Sequence, residues 1–94
     1  MINFNKSQWI LSGDLTIEKI PTIIDLIKKQ KTDKKTIIDF SKVTSIDTST
    51  LSLIFELQRE AKKNQSHFTF KNLPKNLNNL AKLYGVEDLV SSLH

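Results

Sequence analysis

One short segment of the sequence concentrates the side chains that could take part in chemistry. Residues 44–50 read Thr-Ser-Ile-Asp-Thr-Ser-Thr, so five hydroxyls and one carboxylate lie within seven positions. Such side chains accept hydrogen bonds from the free N–H groups in the first turn of a helix, but a single cap accounts for only one of them. Hydroxyls at a helix N-terminus also suit phosphorylation or docking, because the positive end of the helix stabilises negative charge. The pattern alone leaves a structural cap and a functional cap equally open.

The residue types that most enzyme sites need are scarce. The chain has no cysteine and only two glycines, Gly13 and Gly85, which excludes thiolate chemistry and a glycine-rich phosphate loop. Its two histidines, His67 and His94, lack a metal-ligand spacing, so we expect no metal and no cofactor, and we interpret His67 as an exposed strand residue. A Ser–His–Asp hydrolase or a transferase built on the hydroxyl cluster is the weakest alternative. We expect that the chain is not an enzyme.

Apolar spacing predicts the elements on either side of the cluster. Residues 36–40 read Thr-Ile-Ile-Asp-Phe, a pattern typical of a central strand covered on both faces, and 41–47 would connect this strand to a helix. The helix is predicted over 49–64, and its apolar residues span roughly 200°, wider than the ~100° stripe of a surface helix. We expect one margin, near Leu53 and Leu57, to contact another element or another protein. The apolar positions of this arc are Leu51, Leu53, Ile54, Phe55, Leu57 and Ala61.

Three further strands and a helix are predicted around this pair of elements. Residues 2–5 and 9–11 have strand character, and Ser-Gly-Asp at 12–14 is predicted to close the second strand as a turn. A helix is predicted to begin near Pro21, which a helix tolerates only in its first turn. Residues 67–71 alternate as a strand with two inward phenylalanines.

The C-terminal part is predicted to be helical, which completes the fold class. A helix with apolar residues at 77, 80, 81 and 84 should end at Gly85, followed by a short closing turn with Val86, Leu89 and Val90. Strands separated by helices imply parallel pairing with right-handed crossovers. We therefore predict an α/β fold, one compact domain over residues 1–94, with a mixed, mostly parallel sheet of four to five strands and helices packed on it.

Composition and charge narrow the possible partners. A chain that is 38% apolar and 26% charged is typical of a soluble globular protein, and no apolar run approaches the roughly 20 residues of a membrane span. The net charge is +4, but Arg59 is the only arginine, and the lysines alternate with acids along the chain. We interpret this charge as a solvated surface and expect no nucleic-acid partner and no direct membrane insertion. The N-terminal residues lack the apolar core of a signal peptide, so a cytoplasmic location is expected.

The polar cluster and its surroundings resemble a known family. Residues 39–51 read Asp-Phe-Ser-Lys-Val-Thr-Ser-Ile-Asp-Thr-Ser-Thr-Leu. This is similar to the STAS-domain signature, in which a strand ending in Asp-Leu-Ser precedes a Val and then Ile-Asp-Ser-Ser-Gly-Leu. Ser-Gly-Asp-Leu at 12–15, Pro21 and the strand at 68–71 also match, so the resemblance covers nearly the whole chain. It implies a STAS-like α/β domain.

Two further matches favour one branch of the family. Asp-Thr at 47–48 and Leu-Ala-Lys-Leu-Tyr at 80–84 resemble the MlaB branch, the STAS subunit of a bacterial ABC transporter that moves phospholipids and maintains outer-membrane lipid asymmetry. The resemblance implies a non-catalytic cytoplasmic subunit, peripheral to the inner membrane, that binds and stabilises or regulates the transporter ATPase. ATP, magnesium and lipid would belong to the partner subunits. The implied partner-binding residues are Asp47, Thr48, Ser49, Thr50, Ser52 and Leu53.

The anti-sigma-factor antagonists, a related branch, supply the alternative function. Their Asp-Ser-Ser-Gly segment is phosphorylated on its second serine by a partner kinase, and Ser49 occupies that position here. Ser49 is therefore the first candidate phosphoacceptor and Thr48 the second, with an anti-sigma-factor kinase as the implied partner. Thr50 stands where the family has glycine, and a β-branched residue fits there without strain if the position lies in the first turn of a helix.

Overall fold

The computed structural model describes residues 1–87 and confirms the predicted α/β fold. Four strands form one sheet in the order β1-β2-β3-β4, in which β1 pairs with β2 antiparallel and the other two pairs are parallel. The elements in chain order are β1 (Ile2–Asn5), β2 (Gln8–Leu15), α1 (Ile20–Lys29), β3 (Lys35–Ile46), α2 (Ser49–Lys63), β4 (His67–Lys71) and α3 (Lys75–Leu83).

The hydrophobic core lies on one face of this sheet. Alternate residues of the strands point into it, and α1 and α2 cover it with apolar residues at helical spacing. Trp9 lies at its centre, edge-on to Phe4 and Phe68 with ring centroids 4.8 and 5.3 Å away. Side chains that are fully or almost fully buried include Trp9, Leu11, Ile23, Ile27, Ile38, Phe40, Leu53, Ile54, Leu57 and Leu77.

The opposite face of the sheet is less covered than the sequence suggests. The side chain of Ile37 in β3 is 38% exposed, although its neighbours Thr36 and Ile38 are buried. The prediction of a central strand covered on both faces is therefore wrong for the described residues. The strand is central because β2 and β4 pair with its two sides, but only the face that carries Ile38 and Phe40 is packed against helices.

Two strands are longer than predicted. Residues 12–14, expected to form a turn, belong to β2, and residues 41–46, expected to be a connection, belong to β3. The β2–β3 register shifts between Ile10 and Ser12 and again between Gly13 and Asp14, so the two strands stay paired to Leu15 and Ile46. Gly13 has φ +74°, which a glycine adopts without steric cost. A residue pattern typical of a turn thus forms an irregular part of a strand.

The two helix ends that the sequence predicts most sharply are confirmed. Pro21 lies in the first turn of α1, where its missing N–H costs no hydrogen bond. After α3, Gly85 has φ +69°, its N–H donates to the Lys82 carbonyl at 3.2 Å, and the N–H of Val86 donates to the Ala81 carbonyl at 2.8 Å. This is the Schellman arrangement that ends many helices at glycine. The closing turn predicted through Leu89 and Val90 lies outside the described residues.

Candidate functional site

The polar cluster lies where β3 ends and α2 begins. The structure brings all six predicted partner-binding residues into this short connection and the first turns of α2. It divides them by exposure, because Thr48 and Ser52 are exposed and Ser49 is partly exposed, whereas Thr50 and Leu53 are fully buried in the chain's own interior. Docking through this segment would therefore involve the side chains of Thr48, Ser49 and Ser52, together with the partly buried Asp47.

Asp47 is the residue that caps α2. Its Oδ1 accepts hydrogen bonds from the Ser49 N–H, at 2.9 Å, and from the Ser49 hydroxyl. Its Oδ2 accepts the N–H of Ile17 at 3.0 Å, from the turn between β2 and α1. Thr48, which directly precedes the first residue of α2, makes no side-chain capping hydrogen bond. One carboxylate thus holds the first turn of α2 and ties it to a turn 30 residues earlier in the chain.

Thr50 joins the same two segments from inside the protein. Its hydroxyl donates to the carbonyl of Leu15, at 2.8 Å, and accepts the N–H of Asp47, at 3.2 Å. The side chain is 0% exposed and its hydrogen bond to the Leu15 carbonyl is buried, whereas its contact with the Asp47 N–H is partly buried. Thr50 is helical and is not among the residues with positive φ, so the residue that replaces the family's glycine adopts an ordinary conformation.

The electrostatics of the site follow from the contacts of Asp47. Partial desolvation raises the pKa of this carboxyl, but the hydrogen bonds from Ser49 and from the backbone N–H groups of Ile17, Ser49 and Thr50 outweigh it. The pKa therefore lies below its ordinary value, and the carboxylate is ionised at neutral pH. The carboxylate oxygens of Asp47 accept hydrogen bonds from Ile17 and Ser49. The exposed hydroxyl of Thr48 takes no part in this capping.

We expect Asp47→Asn to lower the free energy of unfolding at pH 7 more than at pH 3. A depressed pKa in the folded state means that the ionised group contributes stability above the pKa of the unfolded chain, about 3.9, and that this contribution is lost as the pH falls through the lower folded value. Denaturant titrations at several pH values measure it. Asp25→Asn, at an exposed position of α1, is the matched control. A deficit of the Asp47 variant that is independent of pH would contradict the assignment.

Sequence reasoning missed the second half of the site, the turn after β2. Asp14 accepts the N–H of Thr16 at 2.8 Å and shapes this turn, whose Ile17 is 67% exposed beside the segment that Asp47 holds. The Asp-Leu-Thr order is a recognisable turn signal, since Asp side chains accept backbone N–H groups two residues on. Nothing in the sequence indicates that this turn meets residues 47–50.

A shallow groove adjoins the cluster on its other side. It has a volume of about 500 Å³ and lies between the end of β3, residues 43–46, and the start of α3, residues 74–76. It forms because β4 pairs with β3 only as far as Asp39 and the chain then turns away at Asn72, which has φ +58°. Asn72 donates from Nδ2 to Asp39 Oδ1 at 3.0 Å and so fixes that departure.

The described residues do not assemble the parts of a hydrolytic site around the hydroxyls. His67 begins β4, at the opposite end of the sheet from Ser49, and is exposed as predicted. Within residues 1–87 no group of three or more His, Asp or Glu side chains is placed to hold a metal ion. None of the helices in this part of the chain is both long enough and apolar enough to cross a membrane.

Comparison with known families decides the relationship that the signature suggests. A family described as "Mlab, STAS domain" matches residues 2–91. This chain belongs to the STAS-domain family. The STAS fold is also that of a solved structure, the anti-sigma factor antagonist SpoIIAA in its unphosphorylated form, with a TM-score of 0.69 and 16% identity over 95% of this chain and 83% of that one. No curated protein matches this STAS domain significantly.

Membership of the STAS-domain family indicates the general role of the hydroxyl cluster. STAS domains are binding and regulatory modules that mediate contacts between proteins. In this STAS domain the hydroxyl side chains that are exposed or partly exposed at the start of α2 are those of Thr48, Ser49 and Ser52, on a helix turn that Asp47 and Thr50 hold through hydrogen bonds. A rigid patch of hydroxyls suits recognition by a complementary protein surface, because little conformational entropy is lost on binding.

Proposed function

We propose that this STAS domain is a non-catalytic subunit of an ABC transporter for phospholipids and that it binds the transporter ATPase through the first turn of α2. The match to the family described as "Mlab, STAS domain" supports this choice, together with the Asp-Thr pair at 47–48. By binding one conformer of the ATPase preferentially, the domain shifts the population toward that conformer. In this function ATP, magnesium and the transported lipid belong to the partner subunits.

The exposed Thr48 is the observation that carries the proposal. Its side chain makes no capping hydrogen bond, because Asp47 and Thr50 supply the hydrogen bonds of the helix start. Ser52 follows one helical turn later on the same surface and is also exposed. These hydroxyls are therefore free to meet a partner, and a bulky charged side chain at this point would hold the two surfaces apart.

We expect Thr48→Arg to weaken the complex with the ATPase by at least a hundredfold while the isolated domain stays folded. An arginine at the centre of an interface adds both bulk and an unpaired charge. Co-purification of the tagged domain from its native host, with partners identified by mass spectrometry, is the first measurement, and titration of the two purified proteins follows. Lys42→Arg, an exposed substitution elsewhere, is the control. Binding of Thr48→Arg at wild-type affinity would refute the placement.

Regulation by phosphorylation is the second candidate function. The Ser49 hydroxyl is partly exposed at a helix N-terminus, and the similar solved structure is an anti-sigma factor antagonist. A phosphate on Ser49 would lie beside the Asp47 carboxylate that the hydroxyl now contacts, and this repulsion would loosen the contact of Asp47 with Ile17. Recovery of a sigma-factor-binding kinase in the same purification, with phosphate on Ser49, favours this function over the transporter.

A further inference from the structure

Three lysine-containing segments that are far apart in sequence meet at one end of the molecule. These are residues 5–7 between β1 and β2, residues 28–36 from the end of α1 into β3, and residues 62–67 from the end of α2 into β4. We call the end of the molecule that these three segments form the basic pole. It lies at the amino-terminal ends of the parallel strands β3 and β4, so the whole length of β3 separates it from the cluster at residues 47–50.

Hydrogen bonds between the segments fix this arrangement. The N–H of Ile37 donates to the Ser7 carbonyl at 2.7 Å, which joins the β1–β2 turn to the start of β3. The N–H of His67 donates to the Lys34 carbonyl at 2.7 Å, and the Ser66 hydroxyl donates to the Thr32 hydroxyl at 2.9 Å. The basic pole is therefore a defined surface of the folded chain.

The charge of this surface is strongly one-sided. The three segments contain eight of the fourteen basic residues but only one of the ten acidic residues, Asp33, so they carry seven net positive charges and the rest of the chain three net negative ones. All eight lysines are exposed, and the ion pair found among the described residues, Arg59 with Glu56, lies outside the segments. The lysines are Lys6, Lys28, Lys29, Lys31, Lys34, Lys35, Lys62 and Lys63.

We infer that the basic pole binds the surface of an anionic lipid bilayer. Clustered lysines are attracted to acidic headgroups without insertion, and the attraction grows by about fivefold in partition coefficient for each lysine near the surface. The choice of lipid over nucleic acid rests on residue types. The pole has no arginine for bidentate contacts to bases, and its three segments contain no Phe, Tyr or Trp on which bases could stack.

The geometry allows this contact together with protein docking. The exposed Thr48 and Ser52 lie at the other end of the molecule, whose longest dimension is 33 Å. A bilayer against the lysines therefore leaves the cluster at residues 47–50 accessible. The inference does not depend on the identity of the docking partner, because it stands on the lysines alone.

Vesicle sedimentation with the full chain tests the inference. Vesicles of phosphatidylglycerol and phosphatidylcholine in equal parts should bind the protein at low salt, and vesicles of phosphatidylcholine alone should not. The triple variant Lys31→Gln, Lys34→Gln, Lys62→Gln should lose roughly a hundredfold in partition coefficient. The control variant Lys42→Gln, Lys71→Gln, Lys82→Gln has the same net charge but changes exposed lysines outside the pole, and it should lose less than about fivefold.

Each contrary outcome overturns the inference in a different way. Absence of the wild-type protein from the anionic vesicles shows that the pole is only a solvated surface. Equal losses in the two triple variants show that total charge, and not the pole, drives adsorption. Tighter binding to a short DNA duplex than to the vesicles, at the same ionic strength, assigns the pole to nucleic acid. Adsorption that persists undiminished in high salt contradicts an electrostatic contact, because salt reduces the range of charge–charge interactions to a few ångströms.

Discussion

Leu53→Ala is expected to lower the free energy of unfolding by about 2–5 kcal/mol. Leu53 is 0% exposed and packs in the core that α2 forms with the sheet, so the substitution leaves a cavity that the neighbouring side chains fill only in part. A domain of this size has about 5–14 kcal/mol of stability, so the loss is a large share and should lower Tm by roughly 10–30 °C. Differential scanning calorimetry or urea titration measures it.

Phe55→Ala on the same helix is the matched control for this prediction. The Phe55 side chain is 45% exposed, so its removal should cost only about 1 kcal/mol. The comparison also separates the two interpretations of the wide apolar arc of α2. If Leu53 served a partner instead of the core, Leu53→Ala would leave Tm unchanged and weaken the complex. We expect the opposite, a large drop in Tm with unchanged affinity of the folded fraction.

Thr50→Val should cost about 2–4 kcal/mol although it preserves the shape of the side chain. The substitution removes the hydroxyl that donates to the Leu15 carbonyl and accepts the N–H of Asp47. A buried polar group without a partner costs about 1–3 kcal/mol, and the substitution leaves the buried Leu15 carbonyl and the partly buried Asp47 N–H without this hydroxyl. Urea titration gives the stability, and amide hydrogen exchange at Asp47 should become faster, because its N–H loses its acceptor.

Two comparisons make this second prediction specific. Thr48→Val changes the same residue type two positions earlier, at an exposed site, and should stay within about 0.5 kcal/mol of the wild type. Thr50→Ser keeps the hydroxyl, loses one methyl group and should cost about 1 kcal/mol. Wild-type stability of Thr50→Val would mean that neither backbone group depends on the hydroxyl, and the proposed rigidity of the docking turn would lose its basis.

The two ends of the molecule suggest how its proposed roles combine. The hydroxyls of Thr48, Ser49 and Ser52 present an uncharged surface at one end, and the lysines of residues 28–36 present a positive one at the other. A subunit that binds an ATPase at the membrane would use both at the same time. An isolated phosphorylation-switched regulator would need only the first. Lipid adsorption by the basic pole would therefore add independent weight to the transporter function.

Local patterns were sufficient for much of the architecture. The alternation of residues 67–71, the helical spacing of 49–64, and the positions of Pro21 and Gly85 predicted elements that the structure contains at nearly the same boundaries. These features depend on neighbours a few residues away, because periodicity, proline and glycine act on the local backbone. The signature at 39–51 likewise placed the hydroxyl cluster at the start of α2.

The strand ends were decided by pairing that local patterns do not contain. Ser-Gly-Asp at 12–14 has the composition of a turn, yet β2 continues through it because β3 lies alongside and the register shifts absorb the irregularity. The exposure of Ile37 has the same origin. An apolar run predicts burial on both faces, but whether a second layer exists depends on where the helices pack.

The sequence by itself determined the family, the order of the elements and the residues of the exposed turn. Only the tertiary structure decided which of those residues a partner can reach, because Thr50 and Leu53 lie within five residues of Thr48, as the exposed Ser52 does, yet are buried. It also brought the lysines of three separate segments, residues 5–7, 28–36 and 62–67, together at one pole. Contacts such as Thr50 with Leu15 and Ser66 with Thr32 join segments more than 30 residues apart, and they exist only when the chain is folded.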